Sequence, residues 1–156
     1  MKVDQMMSKP VVTCSMNEPA TRAAQLMWDE DIGCVVVLDE GGQLAGIVTD
    51  RDLCMASYTR GLSIAYFTVG DAMSKDIAAV HLGDRLGVAE GLMRSRKVRR
   101  LPVLDAQDKV VGLLSLNDVA RASQPQGRGV PAIPTAEVAA TLSAICEPRH
   151  ATNPRS

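Results

Sequence analysis

With 156 residues, 46% of them apolar and only 3% aromatic, the chain has enough material for one domain or two small fused units around an aliphatic core. Seventeen basic and eighteen acidic residues leave a net charge of -1, which argues against nucleic-acid binding through bulk charge. No apolar stretch approaches the roughly 18 residues of a membrane span, and the N-terminus MKVDQMMSKPVV lacks the apolar centre of a signal peptide, so a cytoplasmic location is expected.

In chain order, the first predicted element is a short strand over Val11–Cys14. A helix follows, with Asn17 as N-cap and Pro19 in its first turn. Its apolar face is Ala20, Ala23, Ala24 and Met27, at i, i+3, i+4 and i+7. Two apolar runs, CVVVLD and LAGIV, flank EGGQ, where Gly41-Gly42 signals a hairpin. Thr49 then opens a second helix, and Ser57–Thr68 serves as the connection to what comes next.

The same order then recurs: a strand over Ile77–Val80, a helix with Leu86, Ala89, Leu92 and Met93 on one face, the runs RLPVLD and KVVGLL around AQD, and a helix opened by Ser115. Shifting the chain by 66 residues lays Val3–Ala56 over Val69–Ala122 without a gap, and thirteen of the 54 positions are identical. MMSK falls on AMSK, VVVLD on LPVLD and GIVTDRD on GLLSLND. The expected fold is therefore α/β (α+β), two units of β-α-β-β-α over residues 1–60 and 61–124. Residues 125–156 hold the rest. SQPQGRGVPAIP reads as a loop, and TAEVAATLSAIC as a short helix with Thr135 as N-cap and Val138, Leu142 and Ile145 on a docking face. PRHATNPRS reads as a disordered tail.

The four cysteines, Cys14, Cys34, Cys54 and Cys146, form no C-x-x-C pair, and only His81 and His150 could supply imidazole. That is not zinc-site spacing, and the expected reading is small apolar residues in a reduced compartment. No hydroxyl or thiol has a histidine partner in a motif, and no P-loop or G-x-G-x-x-G is present, so no enzyme is expected.

The most informative motif is hydroxyl-x-x-Asp, three residues past a glycine. It occurs as Gly46, Thr49, Asp52 and again as Gly112, Ser115, Asp118. Two readings are open. A helix cap explains the interchange of Ser and Thr, although Glu or Gln is the usual reciprocal partner. A ligand site explains the carboxylate, which accepts from both hydroxyls of a ribose, while the helix N-terminus favours phosphate. A glycine in a strand marks close approach by a ligand or by another backbone.

On MSKPVVT and MSKDIAAV, IGCVVVLD and VRRLPVLD, and GIVTDRDL and GLLSLNDV, the two copies resemble CBS domains, and the pair resembles a Bateman module. The resemblance covers about Val3–Ala122, and VAATLSAICEP is similar to the tail of small stand-alone bacterial CBS-pair proteins. It implies two units related by a pseudo-twofold axis that bind an adenosine nucleotide in the clefts between them: AMP first, with ADP, ATP or NAD as alternatives. Thr49 and Asp52 would serve one cleft, and Ser115 and Asp118 the other. Val11, Ile77, Cys34, Val35, Val36, Leu101 and Pro102 would flank adenine.

The basic run RSRKVRR holds Arg94, Arg96 and Lys97 at a helix end, where cations suit the macrodipole. Arg99 and Arg100 precede a strand, where a phosphate contact and a solvated face are both open readings. The resemblance further implies a homodimer that passes nucleotide occupancy to an effector protein, with no role in catalysis. The alternative is a redox-responsive or scaffolding protein that needs no nucleotide.

Overall fold

The computed structural model describes residues 1–124 and 133–148. Strand β1 (Thr13–Ser15), helix α1 (Ala20–Asp29), strands β2 (Cys34–Leu38) and β3 (Leu44–Thr49) and helix α2 (Asp50–Arg60) form the first unit. After a 3-10 turn at Ile64–Tyr66 and the short helix α3 (Val69–Ala72), the order repeats. The second unit comprises β4 (Val80–His81), α4 (Leu86–Arg96), β5 (Arg100–Leu104), β6 (Val110–Ser115) and α5 (Leu116–Ala122). Helix α6 (Thr135–Cys146) follows. The expected α/β repeat of β-α-β-β-α is therefore the observed architecture.

Each unit has one three-stranded sheet, in the orders β1-β2-β3 and β4-β5-β6. The first pair of each sheet is parallel, joined across a helix, and the second is an antiparallel hairpin. The hairpins turn at Gly42 (φ 75°) and at its counterpart Asp108 (φ 58°). Asp39 and Asp105 hold these turns by accepting from the backbone N–H of Gln43 and Lys109, each at 2.9 Å.

The opening segments are exchanged. Val3, at the start of the first repeat, is fully buried in the core of the second unit with Val80, Leu86, Met93, Leu101 and Leu114. Phe67, Val69 and Met73, at the start of the second repeat, close the core of the first with Cys14, Ala23, Met27, Val35 and Val48. Backbone bridges pin the exchange: Ser8 pairs with Leu113, and Ser74 with Ile47. Adding 66 to Ser8 and subtracting it from Leu113 gives Ser74 and Ile47, so the two units are related by a pseudo-twofold axis.

Several local expectations are corrected. The first strands begin later than Val11 and Ile77, at Thr13 and Val80, after the chain has left its bridges to the opposite unit at Ser8 and Ser74. Pro19, not Asn17, occupies the N-cap position of α1, and the Asn17 amide donates to Glu40 at 3.0 Å. Residues 57–60 belong to helix α2 and not to a linker.

Helix α6 packs on α4 and α5. Its inward residues are Val138, Thr141 and Ile145, while Leu142 is 45% exposed. Thr141 takes the inward position because it bridges two polar side chains of α4: its hydroxyl accepts from Arg94 at 2.9 Å and lies 3.5 Å from the Glu90 carboxylate. Met93 and Ile145 are consumed inside the protomer and are not available to a second copy. Most of the Pro/Gly-rich stretch and most of the tail lie outside the described residues.

Candidate functional site

The two hydroxyl-x-x-Asp motifs end the two hairpins and open α2 and α5, and each is a reciprocal capping box. Asp52 N–H donates to Thr49 Oγ1 at 3.1 Å, and Thr49 N–H donates to Asp52 Oδ2 at 2.9 Å. Asp118 N–H donates to Ser115 Oγ at 3.2 Å, and Ser115 N–H to Asp118 Oδ2 at 2.8 Å. Aspartate is thus long enough to complete the box. Thr68 and Asp71 build a third at the start of α3, where the Thr68 backbone and hydroxyl hydrogen bonds hold the Asp71 carboxyl below its ordinary pKa.

The glycines of the motif answer to backbone approach. A Cβ at Gly46 would stand 2.7 Å from the Ser74 carbonyl oxygen of the exchanged segment. One at Gly112 would overlap Met7 Sδ. The exchanged chain therefore accounts for both glycines without a ligand.

A cleft of about 280 Å³ lies between the units on the Ser115 side. It falls just below the roughly 300 Å³ at which small-molecule sites begin. The second unit supplies Ser115, Asn117, Asp118, Leu113 and Arg100; the first supplies Ser8, Pro10, Val11, Ile32, Gly33 and Cys34. Asp118 is 2% exposed, and its Oδ1 accepts from Ser8 Oγ at 3.2 Å. Arg100 reaches across to the first unit, where a Cβ at Gly33 would meet its guanidinium at 3.8 Å and Asp50 Oδ2 at 3.6 Å. Burial raises the Cys34 thiol pKa, the Arg100 charge lowers it and the Asp50 charge raises it.

Of the residues singled out from sequence, this cleft gathers Val11, Cys34, Arg100, Ser115 and Asp118. Val35 and Leu101 point into the two cores. Val36 and Pro102 are buried on the opposite sheet faces, as strand alternation requires. Ile77 is half-buried at the position related to Val11. Thr49 occupies the position related to Ser115, and Asp52 also faces a groove of about 290 Å³ between α2 and α3.

Arg99 is exposed and turned towards α6, with a guanidinium nitrogen 4.0 Å from Cys146 Sγ, beside a shallow groove that Arg100, Asn117 and Leu142 also line. The other members of the basic run have structural partners. Arg94 binds Thr141, Arg96 pairs with Asp76, and Lys97 caps α4 in the left-handed region and pairs with Glu147. Ser8 and Asn117 were not singled out from sequence. Their signal was available: Ser8 lies in the repeated M-S-K, and Asn117 lies inside the motif itself.

Among the described residues, no three His, Cys, Asp or Glu side chains converge to hold a metal ion. No described helix is long and apolar enough to cross a membrane.

The CBS domain family model matches residues 3–58 and 69–125. The CBS domain-containing protein YhcV of Bacillus subtilis is 32% identical over 118 residues, covering 76% of this chain and 82% of its own. The uncharacterized protein MK0525 of Methanopyrus kandleri is 30% identical over 75% of this chain, which spans 60% of that longer protein. Among solved structures, Hypoxic Response Protein I with two coordinated zinc ions superposes with a TM-score of 0.71 at 28% identity, covering 80% of this chain and all of that one. The CBS domain pair of MJ0100, in complex with 5-methylthioadenosine and S-adenosyl-L-methionine, superposes with a TM-score of 0.69 at 24% identity over 78% of this chain and 94% of that one. With both repeats matched, with exchanged segments joining two β-α-β-β-α units, and with YhcV aligned over most of both chains, the chain belongs to the CBS domain family as a tandem CBS pair.

Proposed function

We propose that this CBS pair is a non-catalytic regulatory module that binds an adenosine nucleotide between its units and passes occupancy to an effector protein. AMP is the first candidate, ahead of ADP, ATP and NAD. The observation that carries this reading is the cleft that joins a buried carboxylate, Asp118, to a cation, Arg100, across walls that include Val11 and Cys34. The carboxylate suits a ribose diol, the apolar walls suit a purine, and the guanidinium suits a phosphate. The adenosine-containing ligands of the MJ0100 pair support the ligand class. By pseudo-symmetry, Thr49 and Asp52 serve the cleft of the first repeat with Ile77, and Arg99 stands at the outer edge of the Asp118 cleft, that of the second repeat.

The module acts as a cytoplasmic homodimer. Helix α6 covers the α4/α5 face of the second unit, but the related α1/α2 face of the first is open. That face is a groove of about 700 Å³ lined by Met27, Leu53 and Ile64, with Trp28 87% and Tyr58 80% exposed. A second copy covers it. A stable monomer by light scattering at micromolar concentration refutes this assembly.

A second reading has a specific observation behind it. The Thr68–Asp71 box shows that hydroxyl-x-x-Asp serves as a helix cap without a glycine before it. On that reading the protein is a nucleotide-independent scaffolding or redox-responsive partner. Calorimetric titration of AMP, ATP, NAD and S-adenosyl-L-methionine into wild type, Asp52→Ala and Asp118→Ala separates the two. Loss of a hydrogen bond to a charged group predicts affinity about ten- to a hundredfold weaker at the altered cleft. Caps alone predict lower stability and no ligand effect. Wild type binding none of them at millimolar concentration, with no nucleotide co-purifying by mass spectrometry, overturns the nucleotide reading.

A further inference from the structure

The two motif carboxylates differ in how many of their acceptor positions are already filled. Asp118 receives four donors. Ser115 N–H and Ser115 Oγ donate to Oδ2 at 2.8 and 2.6 Å, Ser8 Oγ donates to Oδ1 at 3.2 Å, and the Arg121 guanidinium donates to Oδ1 from one turn further along α5. A carboxylate offers about four lone-pair sites, so Asp118 is saturated. Asp52 receives a single donor, Thr49 N–H, among the described residues. The repeat offset shows where the difference arises: Arg121 corresponds to Met55, which carries no donor. Ser8 corresponds to Ser74, which has no side-chain bond to Asp52 among the described residues.

A vicinal diol brings two new donors, so it enters at Asp118 only if existing ones leave. Ser115 N–H is fixed by the start of α5. Arg121 is the donor free to move, since its side chain is 71% exposed and its release returns a guanidinium to water. We propose that Arg121 is an affinity-setting residue of the second cleft, an internal competitor whose guanidinium holds the Asp118 carboxylate until a diol-bearing ligand displaces it. This rests on the nucleotide reading above. In the first repeat Met55 leaves Asp52 without such a competitor, so the two clefts respond to ligand over different concentration ranges.

The test uses the full chain with Asp52→Ala as background, so that AMP binding reports the second cleft alone. Replacing Arg121 with Met, the residue of the first repeat, should tighten AMP about two- to fivefold, the fold-change that an exposed ion pair supports. Arg121→Lys, which keeps a cation able to reach the carboxylate, should stay close to the background affinity. Adding Ser8→Ala to Arg121→Met should tighten binding further, and thermal unfolding checks that each variant is folded. AMP binding that is unchanged or weakened in folded Arg121→Met overturns the proposal while leaving the nucleotide reading in place. Absence of binding of AMP, ATP, NAD and S-adenosyl-L-methionine to wild type and to every variant overturns both.

Discussion

Gly46→Ala tests the exchanged architecture at its tightest point. The added Cβ would lie 2.6 Å from Met73 Sδ and 2.7 Å from the Ser74 carbonyl oxygen. Met73 has a flexible side chain, but the carbonyl belongs to the exchanged backbone and accepts from Ile47 N–H at 3.2 Å. Restoring ordinary contact requires a retreat of about 0.7 Å, which carries this bond beyond hydrogen-bonding distance. Losing the hydrogen bond between exposed Ser74 and half-buried Ile47 costs about 0.5–1.5 kcal/mol and overpacking about 1–3 kcal/mol. Restricting the unfolded chain returns about 0.4–1 kcal/mol. The net expectation is a loss of about 1–3 kcal/mol, or a fall in Tm of roughly 2–12 °C for a domain of this size.

Gly112→Ala supplies the control. The three atoms nearest its added Cβ all belong to the Met7 side chain, which can rotate away, so it should cost about half as much or less. Met7→Ala should rescue Gly112→Ala, whereas Met73→Ala should not rescue Gly46→Ala, because the Ser74 carbonyl remains. Thermal and urea unfolding measure all four. Gly46→Ala melting with wild type, or Gly112→Ala proving the more damaging, would refute the reasoning.

Two further predictions concern titrating groups. Burial first, and Glu137 second, raise the pKa of Glu90 from its ordinary 4.5, so the folded state holds this proton more tightly than the unfolded chain. Stability should therefore decline as pH rises from about 4.5 through the folded pKa, and Glu90→Gln should be more stable than wild type at pH 7, with the gap closing in acid; equal pH profiles by urea unfolding would contradict this. Desolvation raises the Cys14 thiol to about 11, and Cys14 and Cys34 are both buried while Cys54 and Cys146 are exposed. Ellman's reagent at pH 8 should therefore titrate Cys146 promptly and Cys14 and Cys34 only on unfolding, and four prompt thiols would contradict the described packing.

The repeat offset made the order of elements readable, since strand and helix periods survive even where only thirteen of 54 residues match. The cap-or-ligand ambiguity at Thr49–Asp52 and Ser115–Asp118 was not resolvable in the same way, because one spacing serves both uses. Only coordinates show that aspartate closes the box and that exchanged chain sits over the glycines. The exchange itself left no local trace: Val3 reads as apolar whichever repeat it packs into. The inward face of α6 was misread for a related reason. Positions 138, 142 and 145 and positions 138, 141 and 145 both satisfy helical spacing, and the choice was made by Glu90 and Arg94, 51 and 47 residues from Thr141 in sequence.

The reciprocal loan of opening segments also imposes a schedule on synthesis. The core of the first unit can close once Met73 has left the ribosome, but Val3, made well before it, has no place to dock until Leu114 and Val119 emerge. At about 5–20 residues per second, that segment waits on the order of 5–25 s. During that interval Val3, Met6 and Met7 are apolar and unhoused. The nascent first unit is thus a folding template with a free arm, and the second unit closes only when that arm comes home.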